Sequence, residues 1–243
     1  MRMLLLIGLF HVIGDFYLQP EKLVVAKATK RRGLVIHAFI YAMAMGVVFL
    51  CSPWYYALPA WCGLSVTHWI IDALRLCIDR KQDKPFVKVA SFCIDQLLHL
   101  LIVATCWLLF LRKEQTNTFA YLCSFPWFKT VLVYLAAGSI ITKPSSVLVK
   151  KVFKVFPQIE EETNDKMKSI AKAGELIGCL ERIIIITLVF CGATTAIGFV
   201  MTAKSIARFK QLENKSFVER YLIGTLLSVS LALITALIAS KIA

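Results

Sequence analysis

Long apolar segments separated by basic loops recur along the chain, and they constrain its fold more than any other feature. Several approach the roughly 20 residues that a helix needs to cross a bilayer, where every backbone polar group needs an internal partner. With 58% hydrophobic residues and a mean hydropathy of +0.72, the chain is too apolar for a water-soluble domain of its length. The sequence therefore predicts an all-α, polytopic membrane helix bundle. The apolar segments cover residues 3–19, 34–51, 54–78, 86–111, 127–142, 174–209 and 217–241.

Lysine and arginine residues in the loops predict how these segments are oriented. The loop over residues 20–33 carries five of them, whereas the next connection, CSPWYYALP, carries none. Because basic loops remain in the cytoplasm, residues 20–33 are predicted to be cytoplasmic. The net charge of +13 is spread over such loops, so the chain offers no basic domain for nucleic acid.

The segment over residues 174–209 conflicts with this charge rule if it crosses the membrane once. It would then place Lys204 and Arg208 outside. A turn at CGATT, after a helix that ends near Phe190, returns both side chains to the cytoplasmic surface. We therefore predict about eight membrane segments, with seven as the alternative.

Three regions follow from this pattern. Residues 1–112 form a four-helix membrane unit, residues 113–173 contain the fifth span and a polar cytoplasmic insert, and residues 174–243 contain a helical hairpin and the last span. The first part of the insert, KPSSVLVKKVFKVF, is amphipathic and basic, which predicts a position on the membrane surface. The eight cysteines are scattered without a C-x-x-C pair, which indicates a structural role.

Histidine and aspartate form a repeated pattern inside the first four apolar segments. The chain has four histidines, one in each of these segments. Three of them have an aspartate four residues away, on the same helix face, in the pairs His11 and Asp15, His68 and Asp72, and Asp95 and His99. At about 1.5 Å per residue, all three aspartates lie about 7–12 Å from the cytoplasmic helix ends and their histidines about 13–18 Å. His37 is predicted to lie near the aspartate layer.

Ionisable side chains in hydrocarbon cost several kcal/mol each, so these groups must converge on partners or water. Imidazole nitrogens and carboxylate oxygens suit zinc, and also iron or manganese. The sequence thus predicts a divalent transition metal, with zinc preferred, bound by His11, Asp15, His37, His68, Asp72, Asp95 and His99. The alternative is a set of His–Asp hydrogen bonds without metal. The loop carboxylates Asp79 and Asp83 are predicted to be solvated.

Three stretches around these residues, HVIGDFYLQP, THWIIDALR and DQLLHLL, resemble a bacterial inner-membrane family known as a domain of unknown function. Its members open with H-x-x-G-D-F-x-L-Q. The later stretches GELIGCLER, IGFVMTAKSIARFK and ERYLIGTLLSVS are similar to the C-terminal half of its longer members. The resemblance implies a multi-pass protein of the bacterial inner membrane and carries no activity. In ligand inventory alone, the chain is also similar to seven-helix zinc hydrolases such as alkaline ceramidases.

Two main classes of function fit this pattern. In a metal-dependent hydrolase, the metal polarises bound water and one of Asp15, Asp72 and Asp95 accepts its proton, so that an amphiphilic substrate is cleaved at the inner leaflet. The alternative is a divalent-cation or proton-coupled transporter, and a third class is a non-catalytic scaffold or sensor. All predicted ligands lie toward one membrane side, which favours the enzyme.

Lys204 and Arg208, four residues apart, are the candidates for holding an anionic head group of a lipid or substrate. Their other interpretation is interfacial snorkelling, in which long side chains reach from the bilayer to water. The sequence does not predict an oligomeric state.

Overall fold

Within the described residues, 1–156 and 165–243, every regular element of the computed structural model is a helix. Side chains are described for these ranges except at residues 165–172 and 216. The prediction of an all-α fold is confirmed. The helices are α1 (Arg2–Val12), α2 (Glu21–Thr29), α3 (Arg31–Met45), α4 (Val48–Cys51), α5 (Trp54–Lys81), α6 (Pro85–Cys106), α7 (Asn117–Ser124), α8 (Pro126–Phe153), α9 (Asp165–Phe190), α10 (Thr195–Ala207) and α11 (Lys215–Ile242).

Four helical stretches of the described chain are long and apolar enough to cross a membrane. They are Arg31–Cys51, Pro85–Leu111, Pro126–Phe153 and Phe217–Ile242. A fifth arises if Arg2–Tyr17 and Glu21–Thr29, which meet at a bend of 80°, count as one broken span. These helices support the prediction that the chain is a membrane protein. The number of eight membrane segments stays a prediction.

The described chain divides into two compact units, residues 1–139 and 140–243, with the division inside α8. The three regions predicted from the sequence have their boundaries at residues 112 and 173 instead. In the first unit, α1, α3, α5 and α6 surround an apolar core that includes Ile7, Met45 and Leu64. Large apolar side chains also lie on the outer faces, as at Leu97, which is 58% exposed on α6. Apolar side chains on both faces are expected where the surrounding solvent is lipid.

The second unit contains the turn that the charge rule predicts. Helix α9 ends at Phe190, residues 191–194 form a turn, and α10 begins at Thr195. Gly192 has a φ of 72°, a left-handed conformation that glycine adopts without steric cost. The position of the break is therefore as predicted. Helix α10 has 13 residues and is short for a span.

Helix α8 continues beyond the predicted span. It passes through Pro144, which lacks a backbone N–H, and reaches Phe153. Ser145 Oγ donates a hydrogen bond of 2.8 Å to the carbonyl of Ile140, which a proline at position 144 leaves without its helical donor. The first part of the predicted polar insert is thus an extension of α8. Its surface position stays a prediction, and residues 157–164 of the insert lie outside the described residues.

Candidate metal centre

Four ligand atoms from three neighbouring segments of the first unit converge inside the helix bundle. Asp15 follows α1, His37 lies on α3, and His68 and Asp72 lie on α5. His37 Nε2 is 3.2 Å from His68 Nε2, 3.3 Å from Asp15 Oδ1 and 3.3 Å from Asp72 Oδ2. His68 Nε2 is 3.4 Å from Asp72 Oδ2 and 3.9 Å from Asp15 Oδ1.

These separations match those expected around one tetrahedral ion. Bonds of about 2.0–2.1 Å to nitrogen and oxygen ligands place neighbouring ligand atoms about 3.3 Å apart. All four atoms lie within 4.8 Å of one another, and the four side chains are at most 7% exposed. The buried group of Asp15, His37, His68 and Asp72 can therefore hold a metal ion.

Local backbone geometry brings Asp15 to this position. Residues Ile13–Tyr17 form a π-helical turn at the end of α1, closed by a hydrogen bond of 2.9 Å from Leu18 N to Ile13 O. Single π-helical turns occur often at functional sites, because the extra residue changes which side chains face the interior. Within the turn, Gly14 allows α1 and α3 to approach closely. A Cβ atom at Gly14 would lie 3.1 Å from the ring of Tyr41.

The other three predicted site residues lie beside this group. His11 Nδ1 is 2.9 Å from Tyr41 Oη, and the rings of His68 and His99 have centroids 4.3 Å apart. His11 and His99 form a second close group with Asp15, and Asp95 and His99 form a third with Asp72. The structure thus brings all seven residues into one buried cluster, which we call the His/Asp cluster.

Hydrogen bonds among the described residues leave part of this cluster unsatisfied. The Nε2 atoms of His11 and His99 are buried without a partner, and so are the Nδ1 atoms of His37 and His68. A buried polar atom without a partner costs about 1–3 kcal/mol. The hydrogen-bonded alternative to a metal site therefore explains the cluster incompletely.

Two cations that the sequence analysis did not identify balance the aspartates. Lys27 Nζ lies 2.5 Å from Asp72 Oδ2, and an Arg75 guanidinium N–H donates a hydrogen bond of 3.0 Å to Asp95 Oδ2. Three aspartates and two cations leave one net negative charge when the histidines are neutral. One divalent cation would change the net charge to about +1, whereas two would leave a charge of about +3 in a buried site. The charge balance therefore favours a single ion.

Gln96 and Tyr41 were also missed by the sequence analysis. Gln96 Nε2 donates hydrogen bonds to Asp15 Oδ2 at 2.9 Å and to Asp95 Oδ2 at 3.1 Å. The ring of Tyr41 stacks on His68 with a centroid separation of 3.5 Å. Tyr41 has a sequence signal, since it follows His37 by one helical turn on α3. The sequence signal for Gln96 is only its position next to Asp95. This signal is weak, because adjacent residues do not share a helix face.

Asp79 and Asp83, the two carboxylates predicted to be solvated, differ from each other, since Asp79 lies in the last turns of α5 and Asp83 in the loop that follows. Asp83 is exposed and accepts a hydrogen bond of 2.6 Å from Lys88 Nζ, which lowers the pKa of its carboxyl group below the ordinary value. Asp79 accepts a hydrogen bond of 2.6 Å from Ser91 Oγ and lies 3.7 Å from Arg75 Nε. Asp79 is therefore held by protein groups, in contrast to the solvated state predicted for it.

The predicted head-group residues lie in the second unit. Lys204 Nζ is 2.6 Å from Glu181 Oε2 and 5.3 Å from the ring centre of Tyr221. The guanidinium carbon of Arg208 is 6.0 Å from the same ring. Both cations thus lie beside Tyr221, and their binding of a head group stays a prediction.

The fold and the site define a class: an apolar helix bundle of membrane type with a buried His/Asp cluster that can hold a metal ion. Residues 2–127 match the family described as "Protein of unknown function (DUF3307)", which is just over half of the 243 residues, and the chain belongs to this family. The predicted membership of a family of unknown function is thereby confirmed. All seven residues of the His/Asp cluster lie in the matched range. No curated protein and no solved structure matches the chain.

Proposed function

We propose that this chain is a multi-pass protein of the bacterial inner membrane that binds one zinc ion and hydrolyses an amphiphilic substrate at the cytoplasmic leaflet. The observation that carries the proposal is the spacing of the four ligand atoms of Asp15, His37, His68 and Asp72. The distances from the two histidine nitrogens to each other and to the two carboxylate oxygens all lie between 3.2 and 3.9 Å. Two nitrogens and two oxygens at tetrahedral separations suit zinc. Magnesium and calcium prefer six or more oxygen ligands.

Three ligands and one free carboxylate meet the needs of hydrolysis. Catalytic zinc sites use three protein ligands and leave the fourth position to water, whose pKa the ion lowers. Of the four groups, His37, His68 and Asp15 would hold the ion, and water would replace Asp72 at the fourth position, so that Asp72 would accept the proton of that water. Lys27, 2.5 Å from Asp72, holds that carboxylate beside the ligands. Asp95, which forms an ion pair with Arg75, is the second candidate for accepting this proton.

A one-sided distribution of polar groups supports a hydrolase over a transporter. Toward the loop between α5 and α6, the side chains become more exposed, from 1% at Asp72 to 20% at Arg75. In the opposite direction along the bundle, the core consists of apolar side chains such as Met45 and Leu64, which are 0% and 1% exposed. A transporter needs access to its site from both membrane faces in turn. Among the described residues, side-chain exposure next to the cluster therefore rises toward the loop between α5 and α6.

Zinc content tests the metal part of the proposal. We expect protein purified in detergent and reloaded with zinc to retain about one ion per chain after gel filtration. His37→Ala removes a direct ligand and should lose the ion, whereas Asp83→Asn, at an exposed site outside the cluster, should keep it. A wild-type protein that stays metal-free at saturating zinc would leave only the hydrogen-bonded alternative.

Two activity assays separate the hydrolase from the transporter. Zinc-dependent cleavage of a lipid-like ester or amide in detergent, lost in Asp72→Asn with bound zinc retained, supports the hydrolase. Zinc flux into proteoliposomes that is lost in Asp15→Asn and Asp95→Asn supports the transporter and contradicts our proposal. Separately, we propose that Lys204 and Arg208 bind an anionic head group, so Arg208→Gln should weaken the binding of an anionic lipid to the protein.

Eight membrane segments place both residues 20–33 and residues 210–216 in the cytoplasm. The break between α9 and α10 supports this topology, because it allows the chain to return to the side from which α9 starts. A cysteine at Lys215, in a background whose native cysteines are replaced by serine, should be protected from an impermeant thiol reagent in intact cells. Labelling of this cysteine from outside would contradict eight segments and support the alternative of seven.

A further inference from the structure

A pocket of about 720 Å³ lies at the end of the first unit that is remote from the His/Asp cluster. We call it the basic pocket. Arg2 at the start of α1, Arg112 after α6 and Lys129 in the first turn of α8 all line it. Arg2 precedes His11 by nine residues, which at about 1.5 Å per residue is about 14 Å along the helix. The basic pocket and the His/Asp cluster are therefore separate sites.

Three cations converge on the basic pocket without a carboxylate among its lining residues. Arg2 donates one guanidinium hydrogen bond of 2.8 Å to the carbonyl of Cys123, but its Nε atom is buried without a partner. Glu114, the nearest acidic residue in sequence to Arg112, does not line the pocket and accepts a hydrogen bond of 2.6 Å from Tyr55 Oη. Like charges that converge in this way repel one another unless an anion lies between them.

The position of these cations has no explanation in membrane topology. Lysine and arginine are enriched in cytoplasmic loops, which in this chain are the loops at the other end of the first unit, over residues 20–33 and 79–88. Arg2, Arg112 and Lys129 lie at the opposite end, where the charge rule predicts few basic residues. A ligand is therefore the physical reason that we assign to their convergence.

Apart from Gln115, the rest of the wall consists of methionine, leucine, tryptophan and cysteine side chains. Met3 and Leu111 are 2% and 0% exposed, and the ring of Trp107 lies 6.0 Å from the guanidinium carbon of Arg112. Tryptophan is typical of the membrane interface, where a ring contacts acyl chains and head groups together. The pocket thus combines a cationic part for a charged group with an apolar part for a chain.

We propose that the basic pocket binds the phosphate or carboxylate group of an anionic amphiphile at the membrane face opposite to the His/Asp cluster. This inference does not depend on the metal centre or on hydrolysis. The shared chemistry is an anionic oxygen group held by guanidinium and ammonium donors. Its source is either a lipid head group or a free anion, and the experiment below distinguishes the two.

Binding is measured on the full chain in detergent by native mass spectrometry and by thermal shift, with phosphatidylglycerol, phosphatidylcholine or inorganic phosphate added. We expect phosphatidylglycerol to bind at least about tenfold more tightly than phosphatidylcholine, because both lipids carry a phosphate but the choline ammonium group of phosphatidylcholine is repelled by the three cations of the pocket. Arg112→Gln and Lys129→Gln should each remove about tenfold of that affinity. Inorganic phosphate that binds as tightly as phosphatidylglycerol would identify a free anion as the ligand.

Lys113→Gln is the matched control. Lys113 follows Arg112 in sequence but does not line the pocket, and its Nζ lies 5.5 Å from the ring centre of Tyr56. Lys113→Gln should keep wild-type affinity for phosphatidylglycerol. Equal affinity of the wild type for both lipids together with no binding of phosphate, or equal losses in Lys113→Gln and Lys129→Gln, would overturn the proposal. Because Lys129 makes no hydrogen bond or ion pair with another described residue, Lys129→Gln tests the pocket even if Arg112→Gln fails to fold.

Discussion

Arg182 in the second unit and the His/Asp cluster in the first unit are both buried among apolar helices, but they differ in how their polar atoms are satisfied. The Arg182 side chain, on a residue only 2% exposed, donates hydrogen bonds to the carbonyls of Ile141 and Thr142 and to Ser146 Oγ and Ser228 Oγ. His11 and His99, in contrast, each keep a buried Nε2 without a partner.

The partners of Arg182 explain why it is there. Pro144 interrupts the hydrogen-bond ladder of α8, and the carbonyls of Ile141 and Thr142 lie in the turn just before it. Arg182 donates to both of them, which makes it a structural cation whose partners are supplied by the chain itself. The His/Asp cluster instead directs ligand atoms of several residues at one another. The difference teaches that burial alone does not single out a candidate site, whereas convergent ligand atoms with unsatisfied neighbours do.

The largest effect is expected from removing the satisfied cation. Arg182→Met removes four hydrogen bonds that a charged donor makes to the carbonyls of Ile141 and Thr142 and to two serine hydroxyls, and hydrogen bonds from a charged group are stronger than neutral ones. We expect the free energy of unfolding to fall by about 3 kcal/mol, measured by denaturation in detergent, with zinc content per folded chain unchanged. A fall in zinc content would show that Arg182 belongs to the metal site, and the comparison would fail.

The next effect is expected from removing one ligand of the converging group. His68→Ala deletes a direct bond to the metal and should weaken zinc binding by at least about a hundredfold, since loss of an outer partner alone costs about 10–100-fold. The measurement is competition with a chromogenic chelator. The conservative control is Ser91→Ala, which removes a hydroxyl bound to Asp79 outside the cluster. Unchanged zinc affinity in His68→Ala would contradict the assignment of this ligand.

A smaller effect is expected from a residue that orients a ligand. Gln96→Leu removes the hydrogen bonds to Asp15 and Asp95 without removing a metal bond, and we expect zinc affinity to fall by about tenfold. The same chelator competition measures it. A loss as large as that of His68→Ala would indicate that Gln96 is itself a ligand, and no loss would indicate that the 2.9 Å contact with Asp15 is dispensable.

The smallest effect has the opposite sign. Lys27→Met removes a positive charge 2.5 Å from Asp72, so zinc affinity should rise by about fivefold because the ammonium group no longer repels the ion. Turnover should fall at the same time, since Asp72 loses the group that holds it. Zinc affinity that falls in Lys27→Met would mean that the structural role of this ion pair outweighs the repulsion between Lys27 and the ion.

Much of the site could be predicted from residue spacing, because it depends on local helix geometry. The pairs with a spacing of four residues place His11 with Asp15, His68 with Asp72, and Asp95 with His99 on shared faces, and the loop charges predict that the aspartates lie toward one end. The structure brings these residues and His37 together as expected. The all-α fold and the break after Phe190 also follow from hydropathy and charge along the chain.

Only the tertiary structure decides which residues of the cluster direct ligand atoms at one another and which lie beside them. Contacts between helices depend on distant packing, so the sequence could not show that His37 and His68 place their Nε2 atoms 3.2 Å apart while His11 faces Tyr41. Lys27 illustrates this limit. In sequence it belongs to a basic loop that is predicted to be cytoplasmic, yet the 80° bend before α2 turns it back onto Asp72. Similarly, hydropathy along the chain determines that α8 and α9 are apolar, but only their packing decides that Arg182 meets the carbonyls beside Pro144.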